Sequence, residues 1–365
     1  MKITRPTLLL DKQKCNKNIK QMVLKAAKHN LIFRPHFKTH QSREIGEWFR
    51  DSGVDKITVS SVQMAKYFAD SGWDDITIAF PFNQLEIDEI NDLASNIKLN
   101  ILLIHPESVE FLKNHLKQEV GIFIKIDCGY HRTGILAENI ADIDMLIDEI
   151  SDVKKLCFKG FLTHSGHTYQ TSSVKQILAI HDVTKFKMNL LKERYISQFP
   201  DMIISVGDTP SCSLAEDFTE IDEIRPGNFV FYDVMQYKLG ACKTDQIAVA
   251  VACPIVAKSN KRNEITVYGG GVHLSKEFVL NDDCTKNYGL VVNLTENGWS
   301  SPIERLYISS LSQEHGTIQV QSENFDQFQL GDVIGILPIH SCLTANLMGE
   351  YLILNGEKLK YLIIR

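Results

Sequence analysis

The feature that most limits the fold is an alternation of helix-like and strand-like segments, repeated eight times over the first two-thirds of the chain. The strand-like runs are short, β-branched and bounded by Gly, Asp or Pro, and the segments before them carry apolar residues at helical spacing. Such alternation implies a parallel sheet, and eight units in roughly 230 residues match a closed (β/α)8 barrel. An open doubly wound sheet is the alternative, but no G-x-G-x-x-G follows the first strand. We therefore predict an α/β fold with a (β/α)8 TIM-like barrel.

The pattern changes after about residue 240. "QIAVAVACPIVAKS", "NEITVYGGGVHL", "DVIGILPIH" and "EYLILNGEKLKYLIIR" are strand-like, with turn signals between them and no long helix. We predict a barrel over 12–240 and a second C-terminal all-β domain over 241–365. The N-terminal residues 1–11, which include "ITRPTLLLD", are expected to add a strand to that second domain.

Composition excludes several classes of protein. The 365 residues carry a net charge of −6 without a long basic run, so nucleic acid is not an expected partner. No apolar stretch reaches the length of a membrane span, and the leucines near the N-terminus are too few for a signal-peptide core. We expect a cytoplasmic protein. The eight cysteines form no C-x-x-C pair, which favours free, mostly buried thiols.

Clusters of polar residues follow five of the predicted strands. They are Lys38 and His40 after strand 1, "DCGYHRTG" after strand 5, "HSGHTY" after strand 6, "GDTPS" after strand 7 and "RPGNFVFYD" at strand 8. Polar surface residues without a shared function would be found at both ends of a barrel, whereas these five clusters all follow the C-terminal ends of strands. Because barrel enzymes carry their chemistry at that end, we predict the active site there.

Two of the clusters indicate a particular chemistry. The glycine-containing loops after strands 7 and 8 are where barrels commonly bind phosphate. Taken alone, "GDTPS" is more typical of a plain turn, but its position after strand 7 favours a phosphate site. A lysine beside other cations at the end of strand 1 can react with a carbonyl group, and the alternative for Lys38 is an ordinary solvated charge. Phosphate, a reactive lysine and a barrel together favour pyridoxal 5'-phosphate as the cofactor.

The motifs taken together resemble those of a known family. "RPHFKTH", "DCGYHRTG", "HSGHTY", "GDTPS", "EIRPGNFVFYD" and "PIHSC" are similar, in order and spacing, to the fold-type III pyridoxal phosphate enzymes of the D-threonine aldolase and eukaryotic-type D-serine dehydratase branch. Alanine racemase is a more distant relative with the same barrel and β domain. The resemblance implies a lyase that acts on D-3-hydroxy amino acids, and a homodimer in which each chain completes the other's site.

The resemblance also implies roles for individual residues. Lys38 holds the cofactor covalently and moves the proton at the substrate Cα. Arg132 lies beside the cofactor ring, with a salt bridge to Asp127 as its alternative role. Tyr169 lies near the pyridine nitrogen, and His167 either acts on a substrate hydroxyl or makes a structural hydrogen bond. The residues expected around the phosphate are Gly207, Thr209, Gly227 and Asn228, with Tyr232 adding its hydroxyl.

The motif "PIHSC" indicates a metal. His340 and Cys342 are two residues apart, so on a strand they would point to the same face. Imidazole nitrogen and thiolate sulfur suit zinc, although an isolated H-x-C is weak evidence. The resemblance implies a divalent metal here, zinc or else manganese, that binds the substrate β-hydroxyl.

Other functions stay open on the sequence alone. "YGGGVHLSKE", from Tyr268 to Glu277, departs from the family pattern, which leaves the substrate and the choice between elimination and aldol cleavage undecided. A racemase would need no metal but a second base on the opposite face of the cofactor. A non-catalytic pyridoxal phosphate carrier would resemble the barrel alone, and the further β domain of this chain argues against it.

Overall fold

The computed structural model describes residues 2–362, with only the backbone described at 322–324. The chain forms two compact units. One unit is Lys20–Gly227, and the other combines the segment up to Ile19 with the chain from Asn228 onward. The domain limits 12–240 and 241–365 with 1–11 stay a prediction.

The first strand of the chain, β1 (Thr7–Leu10), belongs to the second unit. The strands of the first unit are β2 (Ile32–Phe33), β3 (Ile57–Val59), β4 (Asp75–Pro81), β5 (Lys98–Leu103), β6 (Val120–Asp127), β7 (Ile135–Leu136), β8 (Leu156–Thr163), β9 (Ile203–Val206) and β10 (Glu223–Ile224). All pair in parallel, in the order β2-β10-β9-β8-β6-β5-β4-β3, and β7 is a short side strand of β6. A parallel bridge between His36 and Thr58 joins the two ends of this sheet. The predicted barrel is confirmed.

A helix precedes each of the eight barrel strands. The helices are α1 (Lys12–Lys28), α2 (Arg43–Arg50), α3 (Val62–Ala69), α4 (Ile87–Ala94), α5 (Pro106–His115), α6 (Ile140–Ser151), α7 (Val174–Tyr195) and α8 (Thr209–Leu214). Short 3-10 helices lie at Gln84–Glu86 and Gly166–Gln170. Side chains fix several helix starts, because Ser61 and Ser173 accept from backbone N–H groups of α3 and α7. Within residues 2–362, no helix has the length and apolar character needed to cross a membrane.

The first unit buries charged groups as well as apolar ones. Leu102, Phe123 and Leu162 pack together on β5, β6 and β8. The guanidinium of Arg34 is buried and donates through Nε to Glu223 Oε2 at 2.7 Å. These charges are satisfied by each other, as burial requires.

The second unit is mostly β structure, as predicted. Its remaining strands are β11 (Val249–Ser259), β12 (Glu264–Tyr268), β13 (Val279–Leu280), β14 (Lys286–Asn287), β15 (Gly289–Thr295), β16 (Gly298–Trp299), β17 (Ile308–Leu311), β18 (His315–Gln319), β19 (Val333–Pro338), β20 (Glu350–Ile353) and β21 (Lys358–Lys360). Its helices are α9 (Val234–Lys238), α10 (Gly271–Leu274) and α11 (Ser341–Met348), with 3-10 helices at Asn228–Val230, Thr244–Gln246 and Ser322–Gln327. The N-terminal strand β1 pairs with β11 and β20, so the expected addition of a strand is confirmed.

Candidate active site

The loop that carries Lys38 is anchored by its neighbours. Phe37 is buried and packs edge-on against Phe68 and Trp73, and His40 is fully buried beside Phe49. Lys38 itself is exposed at the C-terminal end of β2. A buried aromatic on one side and a buried imidazole on the other therefore fix the backbone, while the lysine side chain points out of the core.

Basic groups crowd around Lys38 in the barrel unit. Burial, followed by the charge of Lys38, holds the pKa of both His36 and His164 well below the usual value. Burial lowers the pKa of Lys125 to about 8, and the nearby charges of Arg225 and Arg132 act in the same direction. Neighbouring basic groups repel one another when they are protonated, and a bound anion would offset that repulsion. The phosphate and the phenolic oxygen of pyridoxal phosphate are anions of this kind.

The loop after β6 is organised by Asp127. Its Oδ1 accepts hydrogen bonds from the backbone N–H groups of Gly129, Tyr130 and His131 at 2.8–3.1 Å. Burial acts to raise the pKa of Asp127, but these hydrogen bonds outweigh it and the pKa is lowered. The ion-pair partner of Asp127 among the described residues is His131, at 3.5 Å, and not Arg132. The salt bridge considered as the alternative role of Arg132 is therefore absent from the described part of the chain.

Arg132 is instead exposed and lies over the ring of Tyr130, with 4.9 Å between the guanidinium carbon and the ring centroid.

The backbone of this loop requires a glycine at its last position. Gly134 has φ +119°, and a Cβ there would lie 2.9 Å from the backbone nitrogen of Asp127. The motif D-x-G-x-x-R-x-G thus builds a rigid turn that presents Arg132 at the C-terminal end of β6.

Three hydrogen bonds join the loops after β8 and β9. The Tyr169 hydroxyl accepts from the backbone N–H of Thr209 at 3.3 Å. The Thr168 hydroxyl donates to Asp208, which also caps α8 by accepting from the backbone N–H of Ser211. The ring of His164 is hydrogen-bonded to the carbonyl of Gly207. The structure therefore brings Tyr169, Gly207 and Thr209 together.

Thr209 supplies the clearest sign of a ligand in the barrel unit. Its hydroxyl oxygen is buried and, within residues 2–362, has no hydrogen-bond partner. A buried hydroxyl without a partner is costly, and a phosphate oxygen would satisfy it. The residues present therefore fit the phosphate of the predicted cofactor.

The two predicted phosphate glycines have a structural reason of their own. A Cβ on Gly227 would lie 2.7 Å from the carbonyl oxygen of His36, and one on Gly207 would lie 3.1 Å from the carbonyl oxygen of Arg225. A larger residue at Gly227 would collide with the barrel backbone, and one at Gly207 would be in unusually tight contact with Arg225. Their contact with phosphate stays a prediction.

His167 is half-buried in the Gly166–Gln170 turn, and its ring lies nearly parallel to that of Tyr130, with 6.1 Å between centroids. Its Nδ1 is buried and has no hydrogen-bond partner within the described chain. Burial lowers the pKa of His167, so the ring is neutral at pH 7 and one nitrogen can accept a proton.

The remaining predicted residues lie in the second unit. The side chain of Asn228 is buried, and its nitrogen lies 2.6 Å from Asp233 Oδ2. Tyr232 is buried with φ +49°, a left-handed conformation that is uncommon outside glycine. The side chain of Asn228 thus makes its hydrogen bonds within the second unit, and the sequence did not predict these contacts.

The position of the predicted metal pair differs from the expectation of a strand. Strand β19 ends at Pro338, and His340 is the N-cap of α11 with Cys342 in its first turn. The pair still meets, because His340 is hydrogen-bonded to Cys342. Burial acts to lower the pKa of His340, but this bond and the charges of Cys342, Asp233 and Glu277 outweigh it and raise the pKa to about 9.

The donor set of this pair, one imidazole nitrogen and one sulfur, fits zinc with open positions for water or substrate. Among the described residues there is no group of three or more His, Cys, Asp or Glu side chains that could hold a metal ion.

Two buried charged side chains near the predicted residues, Lys125 and Asp208, are absent from the predicted site. Lys125 had a readable signal. It is the single charged residue before the terminal Asp127 in "VGIFIKID", a strand whose residues are all buried. A lysine in such a strand needs a functional or electrostatic reason.

Comparison with known proteins gives two family matches. A model described as the alanine racemase N-terminal domain matches residues 10–234, and one described as a putative serine dehydratase domain matches residues 248–354. A D-serine dehydratase of Dictyostelium discoideum is 32% identical over 96% of this chain and 93% of its own length.

Solved structures share the fold along the whole chain. The D-threo-3-hydroxyaspartate dehydratase from Delftia sp. HT23 has a TM-score of 0.90 at 21% identity, covering 100% of this chain and 98% of that one. A cysteine-to-alanine variant of a D-threo-3-hydroxyaspartate dehydratase, solved in the metal-free form, has a TM-score of 0.89 at 21% identity, covering 100% of this chain and 98% of that one. D-threonine aldolase from Filomicrobium marinum has a TM-score of 0.82 at 17% identity, covering 98% of this chain and 95% of that one.

Proposed function

Because this chain belongs to the alanine racemase-like, fold-type III family of pyridoxal phosphate enzymes that includes the D-serine dehydratases, we propose that it eliminates water from D-serine or a close D-3-hydroxy amino acid. The predicted family, fold and class, a pyridoxal phosphate-dependent lyase, are confirmed. The observation that carries the choice of dehydratase is the identity of 32% along nearly the full length of a D-serine dehydratase. The match of residues 248–354 to a serine dehydratase domain disfavours both the racemase and the carrier.

In this proposal, Lys38 binds the cofactor covalently and exchanges the proton at the substrate Cα. The exposed position of Lys38 at the C-terminal end of β2 supports this role, since an amine there can reach a ligand. Bound pyridoxal phosphate supplies an electron sink for the charge that develops at Cα. Thr209 donates its unpartnered hydroxyl to the phosphate, with Gly207, Gly227 and Asn228 contributing backbone N–H groups and Tyr232 its hydroxyl.

Tyr169 is proposed to face the pyridine nitrogen and Arg132 the cofactor ring. Because the Tyr169 oxygen accepts from the Thr209 N–H, the proton of its hydroxyl points away from Thr209. A neutral phenol leaves the ring less electron-withdrawing than a carboxylate partner would. His167, neutral at pH 7, is the candidate acid or base for a substrate hydroxyl.

We further propose zinc as the metal at His340 and Cys342, with manganese as the alternative. A metal ion there would act as a Lewis acid toward the hydroxyl group, which is a poor leaving group. Support comes from the contact between the two side chains and from their nitrogen and sulfur donors. The metal-free form of a D-threo-3-hydroxyaspartate dehydratase, solved for a cysteine-to-alanine variant, is consistent with this assignment.

Product analysis with the purified holoenzyme tests the reaction. D-serine should give pyruvate and ammonia, and L-serine should give neither. D-threonine should give 2-oxobutyrate by elimination, whereas glycine and acetaldehyde would establish aldol cleavage. Formation of L-serine without pyruvate would overturn the proposal in favour of a racemase.

Covalent trapping tests the role of Lys38 independently of turnover. Borohydride reduction should fix the cofactor on one peptide that contains Lys38, and Lys38→Ala should lose both the label and the activity. Mass spectrometry that finds the label on Lys125 or another lysine would contradict the assignment.

Chelation tests the metal. A chelator should stop the turnover of D-serine while the cofactor stays bound, and added zinc should restore it. Full activity in the Cys342→Ala variant, with no metal by elemental analysis, would refute the metal-assisted reaction.

The homodimer and the cytoplasmic location rest on the sequence and are proposed here with their tests. Light scattering should give twice the chain mass of 41.4 kDa at working concentrations. A fully active monomer would refute the dimer. Cell fractionation should recover the protein with cytoplasmic markers, and recovery with secreted or organellar fractions would refute that location.

A further inference from the structure

Two distant segments meet around one buried carboxylate in the second unit. Asp233 is 1% exposed, and its Oδ2 accepts hydrogen bonds from the side-chain nitrogen of Asn228 at 2.6 Å and the backbone N–H of Ser341 at 3.0 Å. The Ser341 hydroxyl donates to the same oxygen at 3.3 Å. Ser341 is the residue between His340 and Cys342, so Asp233 fixes the peptide that connects the two proposed metal ligands.

Asn228 reaches the sulfur directly. Its side-chain nitrogen lies 3.1 Å from Ser341 Oγ and 3.5 Å from Cys342 Sγ. The orientation of the amide is fixed by chemistry, because only the NH2 group can lie 2.6 Å from a carboxylate oxygen without repulsion. Asn228 therefore presents a hydrogen-bond donor to the sulfur, and its side chain is 6% exposed.

We propose that Asn228 and Asp233 are positioning residues for the metal pair, an inference that rests on the metal site proposed above. A donor aimed at a ligating thiolate stabilises its negative charge and fixes its rotamer. A carboxylate that holds the Ser341 peptide keeps His340 and Cys342 at a constant separation. Groups that orient metal ligands in this way contribute strongly to affinity. The motif "RPGNFVFYD" thus serves the metal pair as well as the cofactor.

The test measures the zinc affinity of the cofactor-loaded, metal-stripped protein by competition with a chromophoric chelator. Asn228→Leu removes the donor at similar volume and should weaken zinc binding by about 10–100-fold. Gln236→Leu is the matched control. Gln236 is a fully buried amide on α9 whose side-chain atoms have no hydrogen-bond partner within the described residues, and its removal should leave zinc affinity unchanged.

Cobalt substitution provides a readout that general destabilisation would not move. The charge-transfer band between thiolate and cobalt(II) should shift in Asn228→Leu, because the hydrogen bond to the sulfur is gone, and should not shift in Gln236→Leu. An unchanged zinc affinity together with an unchanged band in Asn228→Leu would overturn the proposal.

A second variant keeps the inference testable if Asn228→Leu does not fold. In Asp233→Asn the single amide oxygen cannot accept from Asn228 and Ser341 on one side and from the Gln236 N–H on the other, and it no longer carries charge, so the hold on Asn228 and on the Ser341 peptide weakens. Zinc affinity should again fall, and full affinity in Asp233→Asn would refute the role of Asp233. A wild-type protein that binds no zinc, or a Cys342→Ala variant that keeps full zinc affinity, would instead refute the metal site itself, so the two failures are distinguishable.

Discussion

The buried ion pair between Arg34 and Glu223 should hold the last barrel strand in place, and Glu223→Gln tests this. Strand β10 has only two residues, so its backbone makes few hydrogen bonds. Its Glu223 carboxylate is fully buried, accepts from Arg34 Nε at 2.7 Å and accepts from the Ser205 hydroxyl at 2.6 Å. Ser205 in turn accepts from Arg225 Nε at 2.6 Å. The Glu223 carboxylate therefore links β10 to Ser205 of β9 and, through Ser205, to Arg225, the first residue of "RPGNFVFYD".

Removal of one partner from a buried pair costs about 3–5 kcal/mol, because the other charge is left uncompensated. Arg34 keeps Asp75 as a second partner, with 2.5 Å between Nη1 and Oδ1, which places the expected loss near the lower end, at about 3 kcal/mol. For a unit of this size each kcal/mol lowers Tm by about 2–4 °C, so we expect a fall of roughly 6–12 °C.

The assay is equilibrium unfolding in urea of the full-length apo-protein, with a thermal scan beside it. Asp75→Asn is the control, since the Asp75 side chain is 23% exposed and water can replace its charge, so its loss should be smaller. The double variant Arg34→Met with Glu223→Gln should recover part of the loss, because no unpaired guanidinium remains. A loss below about 1 kcal/mol in Glu223→Gln, as for an exposed pair, would refute the reasoning.

Two further predictions concern the C-terminal end of the barrel. Thr209→Val should weaken pyridoxal phosphate binding by about tenfold or more, because it removes a hydrogen bond to a charged group. The kcat at saturating cofactor should be retained. An unchanged cofactor Kd would mean that the phosphate binds elsewhere. Folding lowers the pKa of Lys125 from 10.5 to about 8, so between these pH values the unfolded chain binds more protons than the folded chain. The free energy of unfolding of the wild-type apo-protein, relative to that of Lys125→Met, should therefore rise as the pH increases from about 8 to 10.5. Below pH 8 this difference should stay constant. Parallel urea titrations across that range check the sign, and a difference independent of pH would contradict it.

The barrel could be predicted from the sequence because its signals are local and repeated. Strand β6, for example, is a run of apolar residues that only Lys125 interrupts before the terminal Asp127, and each preceding helix has its own periodicity. The ends of parallel strands share an edge, so the position of Lys38 relative to Tyr169 and Thr209 followed from topology alone. Closure of the sheet, in contrast, depends on a bridge between Thr58 of β3 and His36, which lies three residues beyond the end of β2, and no local pattern marks it.

The residues that could not be predicted are those whose partners are distant in sequence. The family resemblance predicts that Asn228 lines the phosphate, and this stays a prediction. The contacts of its side chain with Ser341, which is 113 residues away, and with Cys342, which is 114 residues away, had no signal in the sequence. A polar residue in a loop is compatible with many contacts, and only the packing of the two segments selects one of them.

The error over His340 and Cys342 has a different origin and a chemical consequence. A spacing of two is compatible with one face of a strand and also with the start of a helix, and the apolar run before "HSC" favoured the strand. The chain instead turns at Ile339 and begins α11, with His340 as its N-cap. At the start of a helix the unpaired N–H groups favour nearby negative charge, so a ligating thiolate at Cys342 is stabilised there in a way that a strand could not provide. The buried Asp233 takes up the Ser341 N–H, so this helix start is also rigid. The helical placement therefore strengthens the case for a metal at this pair beyond what the two residue types alone support.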